Sequence, residues 1–149
     1  MYRDTITVFN HYQSKTADIW YPTVIHGVDL NVDRAAIIAK YGAESKDNAI
    51  LHVKLHNVNG TKYIGKKPYL LPKEWSAQPN DALPGTITFT GGQTFDFFIA
   101  GEWSDNTPID DAEYTNGFYD YLNKRHDNVF AVTSVAEYSL IPHLEIMAK

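Results

Sequence analysis

Hydrophobic and polar side chains alternate in several short stretches of the chain, which is the pattern of β-strands that bury one face. The first stretch, residues 4–9, places Ile6 and Val8 on one face and threonines on the other. Further strands are predicted over residues 20–30, 48–55, 62–64, 86–90, 94–100, 129–135 and 139–147.

The second predicted strand contains two residues that interrupt regular pairing. Its alternation puts Val24, Val28 and Leu30 on a shared face. Pro22 cannot donate a backbone hydrogen bond, and Gly27 is typical of an irregular position. We therefore expect an edge or a bulge in this strand.

Turn residues link some of the strands into predicted hairpins. Residues 58–60 (Val-Asn-Gly) supply turn chemistry before the strand at 62–64. Gly91 and Gly92 separate an alternating strand at 86–90 from a phenylalanine-rich strand at 94–100, which predicts a second hairpin. Four prolines between residues 66 and 84 exclude long regular structure there and leave room for a short strand at Leu70 and Leu71.

A single helix is predicted over about residues 111–124. Asp110 or Asp111 can cap its first turn, and Lys124 and Arg125 favour its carboxyl end. Residues 33–42 fit either a short helix or two short strands. Many short strands with one helix predict a mainly β domain over residues 1–149, built as a small antiparallel barrel or sandwich.

Composition narrows the function classes. The 149 residues carry a formal net charge of −5 and no cysteine, which excludes a disulfide framework and a thiol nucleophile. Mild acidity argues against sequence-independent DNA binding, which depends on dense lysine and arginine. The sequence has no apolar run of membrane-spanning length and no apolar leader after Met1, so we expect synthesis in a cytoplasm and no membrane partner.

Motif searches predict no catalytic, cofactor-binding or metal-binding residues. His52 and His56 have the spacing of helical zinc ligands, but four residues along a strand span about 13 Å, so the pair is interpreted as part of a solvated sheet face. His143 could pair with Glu145 or simply lie on a polar strand face. The sequence also lacks a nucleophile elbow and a phosphate-binding loop. The protein is therefore predicted not to be an enzyme.

Surface chemistry supplies the remaining hypotheses. Two stretches hold more large rings than one small core needs, and exposed rings anchor interfaces, although the same rings could fill the barrel. The candidate interface residues are Tyr69, Trp75, Phe97, Phe98 and Trp103. A polar, acidic loop offers a second candidate, which faces either a channel or a partner through Asp105, Asp110, Asp111 and Glu113. Neither a calcium-loop pattern nor a defined glycosidase pair is present in it.

Five stretches in a fixed order carry a family resemblance. They are DTITVFN (4–10), WYPTV (20–24), YLLPKEW (69–75), DNVFAVTSV (127–135) and PHLE (142–145). In this order they resemble the small neck proteins of tailed phages and prophages of Gram-positive bacteria, described as minor capsid, head–tail connector or head-closure (stopper) proteins. One departure is the long aromatic stretch at residues 91–101, where similar proteins carry a compact Gly-Asp motif.

The resemblance implies a small β-barrel that is not an enzyme and needs no cofactor. Such proteins assemble as a ring beneath the portal and adaptor, close the DNA exit and support the tail. The implied partners are other copies of the chain, portal or adaptor proteins, tail-completion or tail-terminator proteins and phage DNA that passes without sequence-specific binding. The implied location is the virion neck. The alternatives are an adaptor or tail-completion role in the same neck, a small ligand-binding barrel, and a small hydrolase, which would need a convergent acid–base pair.

Overall fold

The structure is a computed structural model that describes residues 2–33 and 48–149. Its elements in chain order are β1 (Asp4–Gln13), β2 (Asp18–Val32), β3 (Ala49–Lys54), β4 (His56–Val58), β5 (Thr61–Ile64), β6 (Lys67–Pro68), α1 (Pro72–Ser76), a 3₁₀ helix (Asn80–Gly85), β7 (Phe97–Ala100), β8 (Ile109–Asp110), a 3₁₀ helix (Asp111–Glu113), α2 (Phe118–Arg125), β9 (Val129–Tyr138) and β10 (His143–Ala148). The prediction for residues 33–42 falls outside the described residues from 34 onward.

Six of these strands form a closed antiparallel barrel, which confirms the predicted fold class. The order around the barrel is β1, β7, β9, β10, β3 and β2, and β2 then pairs with β1. Closure leaves none of the six with a fully unpaired edge, which removes the usual route to uncontrolled strand addition. A small second sheet of β4, β5 and β6 and the short strand β8 lie outside this ring.

A bulge in β2 confirms the irregularity predicted for this strand. Ile25 faces Ile6 and His26 faces Thr5, but the next paired residue is Val28, opposite Asp4. Gly27 is therefore the extra residue, and it adopts a φ of 70° that glycine tolerates. The bulge shifts the alternation, so Ile25 rather than Val24 shares the barrel interior with Val28. The predicted face was wrong at Val24 for this reason.

The hairpin predicted over residues 86–100 is not formed. Residues 86–90 make one isolated parallel bridge, from Ile87 to Tyr69, while β7 pairs with β1 on one edge and β9 on the other. Both edges of β7 are thus occupied. Gly91 serves a different purpose, because a Cβ there would lie 2.5 Å from the Thr133 carbonyl oxygen. The close approach of two backbones requires glycine at this position.

The predicted helix is shorter than expected and begins later. Asp110 caps only a 3₁₀ turn, through a hydrogen bond from the Ala112 amide. The α-helix starts at Phe118 after Gly117, whose φ of 91° breaks the helical path. Leu70 and Leu71, for which a short strand was expected, instead lead into α1. The Asn59–Gly60 turn between β4 and β5 is confirmed, with φ values of 53° and 86°.

Three hydrophobic clusters fill the described fold. The largest occupies the barrel interior and includes Val8, Leu51 and Phe130. A second, aromatic cluster lies under α2, on the outer face of β1, β7 and β9. A third packs Trp75 of α1 against the extended β1–β2 hairpin. Strand β1 is therefore covered on both faces, which explains why Thr7 is buried together with Ile6 and Val8.

Candidate functional site

Four of the five rings predicted as interface residues are buried within the chain. Phe97 and Phe98 lie on opposite faces of β7, with Phe97 in the aromatic cluster and Phe98 in the barrel interior. Tyr69 also belongs to the barrel cluster, and Trp75 packs edge-on against Tyr21 at a centroid distance of 6.0 Å. The expectation of exposure was wrong for these four, because each of them packs in one of the three hydrophobic clusters.

Trp103 is the fifth ring and is half-buried. It packs edge-on against Phe9 at 5.6 Å and Phe118 at 5.8 Å between ring centroids. Its backbone amide donates to the Thr7 hydroxyl at 2.9 Å, which fixes residue 103 against β1. Trp103 is thus the outer edge of the aromatic cluster rather than a free surface ring.

The carboxylates of the predicted acidic loop hold the local backbone. Asp105 accepts hydrogen bonds from the Thr107 amide and hydroxyl, which lower its pKa. Asp110 caps the following 3₁₀ turn. Asp111 accepts from the Trp20 indole at 2.9 Å and from the Phe118 amide at 2.8 Å, so it joins β2 to the start of α2. Glu113 is exposed.

His52 lies in a row of polar side chains on the outside of the barrel. Its Nδ1 is 3.5 Å from Asp29 and its Nε2 is 3.2 Å from Glu145, each on a neighbouring strand. His143 instead stacks on Tyr138 at 4.9 Å, so the possible pairing of His143 with Glu145 is not formed. The row is an arrangement of directly opposed cross-strand pairs, which stabilise a sheet face. His56 is exposed and separate from it.

A buried carboxylate that the sequence analysis did not single out lies at the start of β7. Asp96 is 1% exposed and accepts hydrogen bonds from the His11 amide at 2.7 Å, the Thr90 amide at 2.7 Å and the Asn10 side chain at 3.0 Å. Burial raises the pKa of Asp96 to about 7, against the opposing effect of these hydrogen bonds. The carboxylate ties β1 to the segment before β7. In the sequence, the signal for this buried carboxylate is an aspartate placed between Phe95 and Phe97.

Five exposed large apolar side chains lie on segments that meet near the β9–β10 turn. We define the end surface as these side chains: Val58, Leu71, Tyr138, Leu140 and Ile141. Leu140 is 95% exposed and Ile141 75% exposed, although the cores of the same chain are filled. The sequence analysis placed these two residues inside a strand. Pro142, which cannot donate to a strand ladder, was the signal that the strand begins only after it, at His143.

Contacts between separate segments hold the end surface together. Lys62 of β5 forms an ion pair with Glu137 of β9, next to Tyr138. The Leu55 amide donates to the Pro142 carbonyl at 3.1 Å, which fixes the turn beside β4. An open groove of about 310 Å³ runs between Leu71, Lys62 and Glu137. The surface is therefore built from three segments in fixed relation to one another.

The interior of the barrel is a packed hydrophobic core. Side chains from all six barrel strands fill it, including Ile6, Val28 and Ile146. The search of residues 2–33 and 48–149 for groups of three or more histidine or acidic side chains that could hold a metal ion found none. In the same ranges, no helix has the length and apolarity to cross a membrane.

Comparison with known proteins gives a family. Neither curated proteins nor solved structures gave a match. The family match extends over residues 1–149, the whole of the sequence, and its description names no activity. On this match, the chain belongs to the family of unknown function DUF6751.

Proposed function

We propose that this protein is a structural subunit of the neck of a tailed phage or prophage. Copies of it form a ring between the portal and adaptor proteins and the tail, close the DNA channel after packaging and support tail attachment. The observation that carries the proposal is the end surface. A folded chain with filled cores that still exposes Leu140 and Ile141 at the β9–β10 turn has the surface expected of a subunit that binds a partner.

The resemblance to phage neck proteins supports the same assignment. The stretches that carry it lie in connected parts of one barrel: residues 4–10 in β1, 20–24 in β2, 127–135 in and before β9, and 142–145 at the start of β10. The stretch 69–75 runs from the barrel cluster into α1.

The charge of the chain is compatible with a wall around moving DNA. Each phosphate that a protein neutralises adds salt-dependent affinity, and dense basic contacts would retard DNA passage. A chain with a net charge of −5 is not expected to bind DNA phosphates in this way. DNA is accordingly proposed as a neighbour that passes without specific binding, and the protein is proposed to act by shape rather than by catalysis.

Two alternatives differ in what supports them. An adaptor or tail-completion role within the same neck uses the same end surface, and only the position of the protein in the particle separates it from a head-closure role. A small ligand-binding barrel needs an open interior. The packed interior around Leu51 and Phe130 gives that alternative no support.

The proposal is tested by removing and restoring the gene in the phage or prophage that carries it. Particles made without the protein should be filled heads that lose DNA to nuclease or lack tails, and the wild-type gene should restore tailed particles that contain the protein. Imaging of a tagged copy gives its position between portal and tail. Infectious, tailed particles in the absence of the protein would refute the proposal.

A matched pair of variants links this phenotype to the end surface. L140S/I141S should fail to restore tailed particles although the protein is produced and folded. Ile50→Ser, at an exposed apolar residue of β3 away from this surface, should restore them. Equal restoration by both variants would contradict the assigned role of the end surface.

A further inference from the structure

The sequence contains two Asn-Gly dipeptides, and the structure gives them different surroundings. Asn59–Gly60 is the turn between β4 and β5, and Asn116–Gly117 leads into α2. Both asparagines are exposed to solvent. Asparagine is a thermolabile residue, and a following glycine has no Cβ to shield its backbone nitrogen. The two sites therefore share the same intrinsic chemistry, and a difference in their reactivity must come from the fold.

The reaction open to an Asn-Gly dipeptide is an intramolecular displacement at the side-chain amide. The glycine nitrogen loses its proton to solvent and attacks Cγ of the asparagine, which lies close by in the chain. The new N–Cγ bond forms, the Cγ–Nδ2 bond breaks, and Nδ2 takes up a proton and leaves as ammonia. Water then opens the succinimide ring at one of its two carbonyls. The products are aspartate and isoaspartate, and water is the only co-reactant.

The turn at Asn59–Gly60 leaves the attacking nitrogen accessible. The Gly60 amide donates to Asn57 Oδ1 at 3.0 Å, in a contact between exposed groups. A Cβ built on Gly60 would meet no atom within 4 Å, so the space beside the nitrogen is open. Within residues 2–33 and 48–149, neither Asn59 nor Gly60 has a backbone–backbone hydrogen bond outside the strand pairing. Freeing this nitrogen requires the loss of one solvent-exposed hydrogen bond.

The second dipeptide is held on both sides. The Gly117 amide donates to the Tyr114 carbonyl at 3.1 Å, and the Gly117 carbonyl accepts from the Tyr121 amide at 3.1 Å. The next amide, that of Phe118, donates to the Asp111 carboxylate at 2.8 Å. A Cβ built on Gly117 would lie 3.2 Å from an oxygen of the same carboxylate. A negative charge this close disfavours removal of the amide proton.

We propose that Asn59 is a site of spontaneous deamidation in the folded protein, that the fold protects Asn116, and that the Asn57 side chain sets the rate at Asn59. The Asn57 oxygen accepts the proton that the Gly60 nitrogen must lose before it attacks, so this hydrogen bond slows the reaction. The chain itself is the substrate. This chemistry is independent of the proposed neck function and extends beyond it.

Deamidation at this turn changes part of the end surface. Isoaspartate at position 59 adds one carbon to the main chain of the turn, whereas the pairing of Val58 with Thr61 requires a two-residue connection. Val58 is 55% exposed and belongs to the end surface. Aspartate at the same position keeps the main chain and adds a negative charge. Both products therefore modify one face of the molecule as the protein ages.

Incubation of the folded, full-length protein in buffered H₂¹⁸O tests the proposal. Ring opening places ¹⁸O in the product, and peptide mass spectrometry with fragmentation locates it and separates isoaspartate from aspartate. In the folded protein Asn59 should react faster than Asn116 by about tenfold or more, because the reaction at Gly117 must break more hydrogen bonds. In guanidinium chloride, where only the sequence remains, the two sites should react at similar rates.

Two substitutions at position 57 distinguish control of the amide proton from simple loosening of the turn. Asn57→Ala removes the acceptor and should accelerate deamidation of Asn59 by about two- to tenfold. Asn57→Asp keeps an acceptor and adds a negative charge, so it should slow the reaction. Asn106→Ala, at an exposed asparagine elsewhere, is the matched control and should leave the rate unchanged. Circular dichroism verifies that each variant is folded.

Three results would overturn the proposal. The first is a rate at Asn59 in the folded protein that is no greater than the rate at Asn116. The second is an unchanged rate in Asn57→Ala, which would remove the role of the Asn57 side chain. The third is acceleration by both Asn57→Ala and Asn57→Asp, which would mean that loosening of the turn, and not the hydrogen bond to the Gly60 amide, sets the rate.

Discussion

The aromatic cluster under α2 and the end surface are both apolar, but the first is buried and the second is exposed to solvent. In the cluster, Phe9 stacks on Phe97 at 4.8 Å and packs edge-on against Phe118 at 5.1 Å between ring centroids. All three rings are fully buried. Leu140 and Ile141 make up the turn between two long strands and are almost wholly exposed. The large rings are used to fold the chain, and the aliphatic side chains at the turn are left in water.

The difference follows from the number of layers around the barrel. A barrel strand with solvent outside would show its outer rings, but α2 and the loop before it cover β1, β7 and β9 from outside. Among the residues that the structure describes, no segment covers Leu140 and Ile141 in the β9–β10 turn. Exposure is therefore decided by what packs over a residue, and not by how apolar the residue is.

Truncation within the aromatic cluster should have the largest effect on stability. Phe97→Ala removes a fully buried ring that contacts Phe9 and Trp20, and we expect the free energy of unfolding to fall by about 3–5 kcal/mol. Urea denaturation followed by tryptophan fluorescence measures the loss. Phe97→Leu, which keeps most of the volume, should lose less. A loss under about 1 kcal/mol for the alanine variant would mean that the cluster does not stabilise the fold.

The buried carboxylate beside this cluster should make stability depend on pH. Because burial raises the pKa of Asp96 to about 7, folding disfavours its charged form. Its contribution is therefore fully present below about pH 4, where the carboxyl is protonated in both states, and is lost as pH rises towards 7. We expect the stability of wild type relative to Asp96→Asn to fall by about 2–4 kcal/mol across this range.

Denaturation of wild type and Asp96→Asn at the same pH values isolates the contribution of Asp96, because the histidines titrate in both proteins. Burial lowers the pKa of His11, so titration of this histidine makes stability rise with pH, opposite to the effect of Asp96. This contribution is present in wild type and in Asp96→Asn. A stability difference that is constant from pH 4 to 7 would show that Asp96 is ionised throughout and that its three hydrogen bonds outweigh burial.

The link between the cluster and the start of α2 should have an intermediate effect. Asp111→Ala removes the acceptor for the Trp20 indole and the Phe118 amide, and we expect a loss of about 1–2 kcal/mol. Asp110→Ala, which releases only the amide of Ala112 in the preceding turn, is the matched control and should lose less. Thermal denaturation compares the two. Equal losses would contradict the role of Asp111 as the anchor of the helix.

Substitution in the end surface should have the smallest effect on the isolated chain. We expect L140S/I141S to change the free energy of unfolding by no more than about 0.5 kcal/mol, since both side chains are already in water. The same urea denaturation measures it. A loss comparable to that of Phe97→Ala would show that the turn packs within the chain, and the contrast between the two regions would disappear.

Individual strands were predictable from the sequence, and their pairing was less so. Residues 4–9 and 129–135 form strands as predicted, because period-two alternation is a local property. Residues 86–90 have the same alternation and form no ladder, because β1 and β9 occupy both edges of β7. Competition between distant strands for one edge cannot be seen in a local pattern.

The candidate sites show the same division. The acidic loop was predicted at its observed place, but three of its carboxylates, those of Asp105, Asp110 and Asp111, accept hydrogen bonds within the chain. The ring-rich stretches were predicted as exposed, yet Phe97 and Phe98 point to two different cores on the two faces of one strand. The exposed Leu140 and Ile141 were missed because residues 139–147 were predicted as one strand across Pro142, whereas β10 begins only at His143.

The sequence by itself determined a cysteine-free, mildly acidic β-rich chain with a glycine turn after Asn59 and a bulge near Gly27. These features depend on backbone sterics and on alternation over a few residues. Only the tertiary structure decided which strands close the barrel, which rings are covered and which side chains are left in water. Burial depends on the layers that distant segments place over a residue, and no local pattern encodes those layers.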